Sequence, residues 1–274
     1  MFNQLELITN DQTEKLTSLR NYIKSLKTAC VAYSGGVDSA LVASITFEQL
    51  REKACAITGV SPALASHLLE EARMQAKWIG INHIEIQTNE LADESYSNNP
   101  KERCFACKKE LHKKTSFISE KLNFKNILDG VNFDDLSDYR PGIEASKKAG
   151  VTSPLALFKF SKKDIRDISK SLGFPWWDKP AQPCLSSRFP YGYNITKERL
   201  NMIEKGEAYV REMGIEDVRV RCQGTSARIE IPEEDIQNFI VNYRKEALLN
   251  YFFKLGFKCV SLDLEGLISG KLNR

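Results

Sequence analysis

A parallel-sheet α/β domain followed by a smaller α+β domain is the fold class that three observations predict. Apolar strand-like runs alternate with amphipathic helical patterns through the first half of the chain. A Gly-Gly turn joins the first of those strands to a helix. After about residue 190 the alternation gives way to two charged, period-two strands flanked by helices. Strands separated by helices imply right-handed βαβ units, which bind ligands at the carboxyl ends of their strands.

Taken in order, Leu16, Leu19, Ile23 and Leu26 recur at helical spacing and mark an opening helix. A strand over 28–33, a helix over 39–51, a strand over 54–60, a helix over 63–79 and a strand over 83–87 follow. The next helix covers 107–122, and a strand over 126–130 completes the series. Ser161 and Asp164 have capping-box spacing for a helix to Leu172, which Gly173 and Pro175 end. Residues 177–193, rich in Pro, Ser and Gly, form a long irregular stretch of the kind that carries function. Thr196 N-caps a helix to Met213, and 218–222 and 227–231 alternate as strands around a hairpin at Gly224. Pro232 opens another helix, a further one runs to Lys254, and 260–264 is the last strand. The division expected is residues 1–189 and 190–274.

The turn Tyr33-Ser34-Gly35-Gly36-Val37-Asp38-Ser39 sits between the apolar run Ala29-Cys30-Val31-Ala32 and a helix carrying Leu41, Val42 and Ile45. Glycines there let backbone N–H groups approach an anion, the helix dipole favours negative charge, and Ser34 and Ser39 add donors. No Lys-Ser/Thr pair follows, so this is not a Walker A loop. Ser-Gly-Gly-x-Asp-Ser resembles the signature of PP-loop ATP pyrophosphatases, which cleave ATP between the α- and β-phosphates. That resemblance implies a turn holding pyrophosphate, with Asp38 at a Mg²⁺ site. The same sheet edge collects Ser61, just after the second strand, and Asp129-Gly130, closing the fourth.

Charge is nearly balanced, at net +3 over 274 residues, so no strong basic field exists for holding a long nucleic acid. The N-terminal residues lack a signal-peptide pattern and no apolar run approaches membrane-span length, which points to the cytoplasm and to no membrane partner. Seven cysteines, an odd number without a secretion signal, argue against a disulfide framework. Cys30, Cys55, Cys222 and Cys259 lie in apolar strand contexts and read as small buried hydrophobes. Cys104, Cys107 and Cys184 have polar or proline-rich neighbours instead. Arg219 and Arg221 share a strand face, with Arg228 on the next strand, and arginine's planar fork suits carboxylate and phosphate.

Set together in chain order, Ser34-Gly-Gly-Val-Asp-Ser39, Asp129-Gly-Val-Asn132, Asp138-Tyr-Arg140-Pro-Gly142, Ser186-Ser-Arg188-Phe-Pro-Tyr-Gly192, Val218-Arg-Val-Arg221, Ala227-Arg-Ile-Glu230 and Ser269-Gly270 resemble the LarE family over nearly the whole chain. Members are ATP-dependent sulfur transferases of nickel-pincer cofactor synthesis. They adenylylate the carboxylates of pyridinium-3,5-biscarboxylic acid mononucleotide, release pyrophosphate and install sulfur. The resemblance implies ATP, Mg²⁺ and a nicotinate-derived mononucleotide substrate. It puts Arg140, Arg188, Arg219, Arg221 and Arg228 among the ligand-binding residues, and it implies a homo-oligomer.

Two sulfur strategies occur in that family. One sacrifices a cysteine in the loop before Ser-Ser-Arg, and the other holds an iron-sulfur cluster on three cysteines. Here Pro183 stands where the sacrificial cysteine would be, with Cys184 next, and Cys104 and Cys107 complete a three-cysteine set. The implied cofactor is a [4Fe–4S] cluster, whose fourth iron stays open when only three thiolates bind. Competing readings are a redox dithiol, a zinc site with Cys184 and His112, or inert cysteines, with His112 itself merely exposed on its helix. Rival functions are a PP-loop tRNA thiolase with a similar cluster, an ammonia-dependent amidating synthetase, and a nonenzymatic nucleotide sensor.

Overall fold

The computed structural model describes residues 5–137, 141–268 and 270–271. The helices are α1 (Asn10–Leu26), α2 (Val37–Leu50), α3 (Ser66–Ile79), α4 (Glu94–Ser97), α5 (Arg103–Lys121), α6 (Pro141–Lys148), α7 (Pro154–Leu157), α8 (Lys162–Ser171), α9 (Lys197–Glu212), α10 (Glu233–Asn242) and α11 (Lys245–Lys254). The strands are β1 (Ala29–Ala32), β2 (Ala54–Val60), β3 (Asn82–Gln87), β4 (Ile127–Leu128), β5 (Arg219–Gln223), β6 (Ser226–Glu230) and β7 (Cys259–Leu262). The chain divides into two compact units, residues 1–90 with 102–182, and residues 91–101 with 183–274.

The first unit is a parallel sheet in the order β3-β2-β1-β4. Strand β1 is buried at every position, as an inner strand covered by helices must be, and Ala29, Cys30, Val31 and Ala32 are small enough for helices to pack closely above and below. Strand β3 lies at the edge and carries polar residues, with Arg73 of α3 donating to both oxygens of Glu85 at 2.6 and 2.7 Å. Helix α2 is apolar on almost every side and runs through the middle of the core, among Leu19, Ile23, Ile165 and Ile168 of α1 and α8. The expected capping box at Ser161 is present: its hydroxyl accepts from the Asp164 N–H, and the Asp164 carboxylate accepts from the Ser161 N–H. The order reverses direction between β1 and β4, so the ligand crevice of an open sheet falls at their carboxyl ends.

The second unit is a three-stranded sheet in the order β5-β6-β7, antiparallel between β5 and β6 and parallel between β6 and β7. Helix α9 lies against β5, and Phe252 packs against Gly206 at the centre of its core. Residues 91–101 join this unit by hydrogen bonds. The Tyr96 hydroxyl lies 2.6 Å from Ser186 Oγ, the Asn99 amide donates to the Pro190 carbonyl at 2.7 Å, and the Ile195 N–H donates to the Ser97 carbonyl at 2.7 Å.

Two side chains depart from their sequence reading. Cys259 is exposed, because β7 is an edge strand whose alternate residues face outward. His112 is not exposed but 1% accessible, where α5 meets α6, and its Nε2 lies 2.8 Å from Ser146 Oγ. Burial, aided by the charge of Lys108, pushes the His112 imidazole down to about 4 from an ordinary 6.5. An unfolded chain binds this proton near pH 6.5 and the folded chain only near pH 4, so folding stability falls as pH drops across that window. Denaturant unfolding of the wild type should lose about 3 kcal/mol from this group between pH 6.5 and pH 4. A His112→Gln variant should show a correspondingly flatter pH dependence, and equal slopes would contradict the assignment.

Candidate active site

The Ser34–Ser39 turn is shaped by close approaches that only glycine permits. Gly35 has φ +72°, a conformation costly to other residues, and a Cβ there would lie 3.1 Å from the Ala72 Cβ of α3. A Cβ on Gly130, just beyond β4, would lie 2.6 Å from the Ser39 nitrogen, so the end of β4 presses on the first turn of α2. Inside the turn, the Ser39 hydroxyl donates to the Gly36 carbonyl at 3.0 Å and lies 3.2 Å from the Ser34 hydroxyl. Ser34 and Gly36 face outward while Gly35 and Ser39 are buried, which leaves open backbone at a helix N-terminus.

Around this turn the first unit gathers charge. Lys162, the first residue of α8, donates to both oxygens of Asp38 at 2.7 and 2.8 Å. Burial holds the Asp38 carboxyl above its ordinary range, with Asp135 adding to the effect while Lys162 and Asn132 oppose it. Asp129 is 2% exposed. Its Oδ1 accepts from the Val131 N–H, and its Oδ2 is buried with no hydrogen-bond partner. The Ser61 hydroxyl, beyond β2, donates to Glu90 Oε1 at 2.5 Å. Neither Lys162 nor Glu90 was identifiable as a site residue in the sequence.

In the second unit two buried carboxylates organise the arginines. Glu207 accepts from Arg188 Nε at 2.7 Å and Nη2 at 3.1 Å, from Arg211 at 3.0 Å, and from the Val220 N–H at 3.0 Å. Glu230 accepts from Arg221 Nε at 2.9 Å and from Arg228 at 3.1 Å. Arg188 turns its Nη1 onto the carbonyls of Pro183 and Cys184, at 2.7 and 3.2 Å, and Arg221 donates to the Ser187 carbonyl at 2.7 Å. The turn bearing Cys184 is thus held by two buried guanidiniums, and Cys184 itself is exposed. Arg228 also reaches Asp263 and is 46% exposed. The Arg219 guanidinium makes no hydrogen bond or ion pair to a described residue. It is lowered from its ordinary range by burial first and then by the charges of Arg188 and Arg221. A half-buried cation among other cations is suited to an incoming anion.

Cys104 and Cys107 lie one helical turn apart in the first turns of α5, the former exposed and the latter half-buried. Among the described residues, no three His, Cys, Asp or Glu side chains converge as a metal would require, and no helix is long and apolar enough to cross a membrane. Arg140, Asp138 and Ser269 fall outside the described residues.

A parallel sheet delivering Ser-Gly-Gly-x-Asp-Ser to a helix N-terminus defines the class, an ATP-using enzyme of the PP-loop type. The NAD synthase family model matches residues 12–115, the span that contains this turn. The chain is 52% identical to the uncharacterized protein slr1717 of Synechocystis sp., over 95% of this chain and 97% of that one. It is 35% identical to the uncharacterized protein MJ0830 of Methanocaldococcus jannaschii, over 92% and 96% of the two chains. To the pyridinium-3,5-bisthiocarboxylic acid mononucleotide synthase of Lactiplantibacillus plantarum it is 34% identical, over 94% of each. At that identity and coverage the chain belongs to the family of that synthase, the LarE family.

Removing one partner of a buried ion pair strands the other charge, at a cost of about 3–5 kcal/mol. Glu207→Gln should therefore lower the melting temperature by roughly 6 °C or more, whereas Arg228→Ala, at a half-exposed site, should change it by only about 1–3 °C. Calorimetric scans showing equal shifts would contradict the organising role given to Glu207.

Proposed function

We propose that this chain is an ATP-dependent sulfur transferase acting on pyridinium-3,5-biscarboxylic acid mononucleotide. The observation that carries the reading is family membership along the whole chain together with the phosphate turn and its Asp38–Lys162 pair. A substrate carboxylate attacks the α-phosphorus of ATP, forming an acyl adenylate and releasing pyrophosphate. A hydrosulfide then attacks the acyl carbon and expels AMP, leaving a thiocarboxylate, and a second round converts the other carboxylate. The adenylation step is needed because oxide is too poor a leaving group to be displaced from a carboxylate directly.

Each residue has a share in this scheme. Backbone N–H groups of the Ser34–Ser39 turn and the α2 dipole hold the departing pyrophosphate. Lys162 is placed to move from Asp38 onto phosphate oxygens when ATP arrives. The unpartnered Asp129 Oδ2 and the Asp38 carboxylate are hard oxygen donors of the kind that hold Mg²⁺, which would neutralise the pyrophosphate charge. Arg219 is the cation we assign to the substrate's phosphate or carboxylate, while Arg188 and Arg221 orient the Cys184 turn. The soft thiols Cys104, Cys107 and Cys184 are the donors we assign to a [4Fe–4S] cluster; none of the three is buried, in contrast to Cys30, Cys55 and Cys222. When bound, such a cluster keeps one iron open for hydrosulfide.

A variant with Cys104, Cys107 and Cys184 all changed to Ser should still release pyrophosphate on mixing with substrate, ATP and Mg²⁺. It should yield no thiocarboxylate product by mass spectrometry. Full thiocarboxylate formation by that variant would remove the cysteines from the chemistry. Absence of substrate-dependent pyrophosphate release in the wild type would sink the adenylation scheme.

A further inference from the structure

Glu90 is 4% exposed, and it closes the segment after β3, beside the end of β2. One of its oxygens, Oε1, accepts from Ser61 Oγ at 2.5 Å, and Ser61 Oγ in turn accepts from the Ala63 N–H at 3.2 Å. The other oxygen, Oε2, is buried with no hydrogen-bond partner. A buried carboxylate oxygen without a donor is unfavourable, and in native proteins such an atom marks a missing partner. Both Ser61 and Glu90 stand at the carboxyl edge of the sheet, the edge that carries the phosphate turn on the neighbouring strand β1. Thr58 of β2 donates to the Tyr33 carbonyl at 2.8 Å, which fixes the register between the two strands. Ser61 lies three residues further on, roughly 10 Å along the strand direction. A nucleotide with its phosphates on the turn and its base laid across β2 would bring the base to Ser61 and Glu90.

We infer that Glu90 Oε2 accepts a hydrogen bond from the exocyclic 6-amino group of adenine and so selects ATP over 6-oxo purine nucleotides. The inference rests on the reading of the Ser34–Ser39 turn as an ATP site. A carboxylate is acceptor-only, and with Oε1 held by Ser61 the acceptor left without a donor is Oε2. Adenine offers N–H at that position. Guanine and hypoxanthine offer a carbonyl oxygen, which would set acceptor against acceptor and leave both unpaired. Sites built around one buried polar group discriminate strongly for this reason.

Calorimetric binding of a nonhydrolysable ATP analogue and of its inosine counterpart, which differs at the 6-position, tests the inference without any sulfur chemistry. The wild type should prefer the adenosine compound by about tenfold or more. In Glu90→Gln the ratio should fall to within about threefold, because a carboxamide can turn its N–H toward a carbonyl. Glu90→Asp, which keeps the charge but draws the carboxylate back by one methylene, should also lower the ratio and serves as a second variant should Glu90→Gln fold poorly. A wild type that binds both compounds equally, or a Glu90→Gln protein with the ratio unchanged, would overturn the inference. So would a Glu90 dependence that disappears with the 2′-deoxy analogue of ATP, which would make ribose the group being read. Binding of neither compound would overturn the ATP reading itself, and is distinguishable from binding without discrimination.

Discussion

The approach of backbone to backbone at the N-terminus of α2 is the constraint on which the first unit depends. Gly35 against Ala72 and Gly130 against Ser39 bring α3 and the end of β4 onto one turn, where a Cβ is excluded at Gly130 and a positive φ with a tight contact disfavours one at Gly35. The result is a closely packed turn that leaves open backbone at a helix N-terminus. The same closeness carries Asp129 and the α8 terminus to the rim. Lys162 and Asp38 neutralise each other, which keeps two partly buried charges from standing unpaired.

The second unit solves a different problem, that of holding several arginines near one another. Glu207 and Glu230 are fully buried, and each accepts from more than one guanidinium. Mutual repulsion among Arg188, Arg219 and Arg221 is thereby offset, by direct ion pairs for Arg188 and Arg221 and at longer range for Arg219. Hydrogen bonds from Arg188 and Arg221 pass this order on to the carbonyls of residues 183, 184 and 187, so the same carboxylates that gather positive charge also brace the backbone that carries Cys184. Tyr96 and Asn99 fasten the same stretch through Ser186 and the Pro190 carbonyl.

Much of this was legible in the sequence, and for identifiable reasons. Continuous apolar runs such as Ala29–Ala32, the Gly173 stop and the Ser161 capping box are local signals, and the elements they mark are present. Lys162 escaped notice because its partner Asp38 is 124 positions away, and locally it is only the first residue of a capped helix. Glu90 lies in a short turn between strand and helix, where a carboxylate is unremarkable until its burial is known. Residues 91–101 carry no compositional sign that they belong with the distant 183–274. Cys259 misled because an apolar neighbour, Phe257, is buried while the edge strand turns the thiol outward. His112 misled because polar helix neighbours gave no hint of α6 packed over it.

The proposal that most separates this chain from other PP-loop enzymes is the origin of its sulfur. Iron, acid-labile sulfide and zinc should be measured on protein purified without oxygen, beside a Cys184→Ser variant. The account predicts iron and sulfide each near four per chain in the wild type, by the ~4Fe–4S stoichiometry of such clusters, with both lost in the variant. Zinc in their place, or no metal after attempted reconstitution, would contradict it.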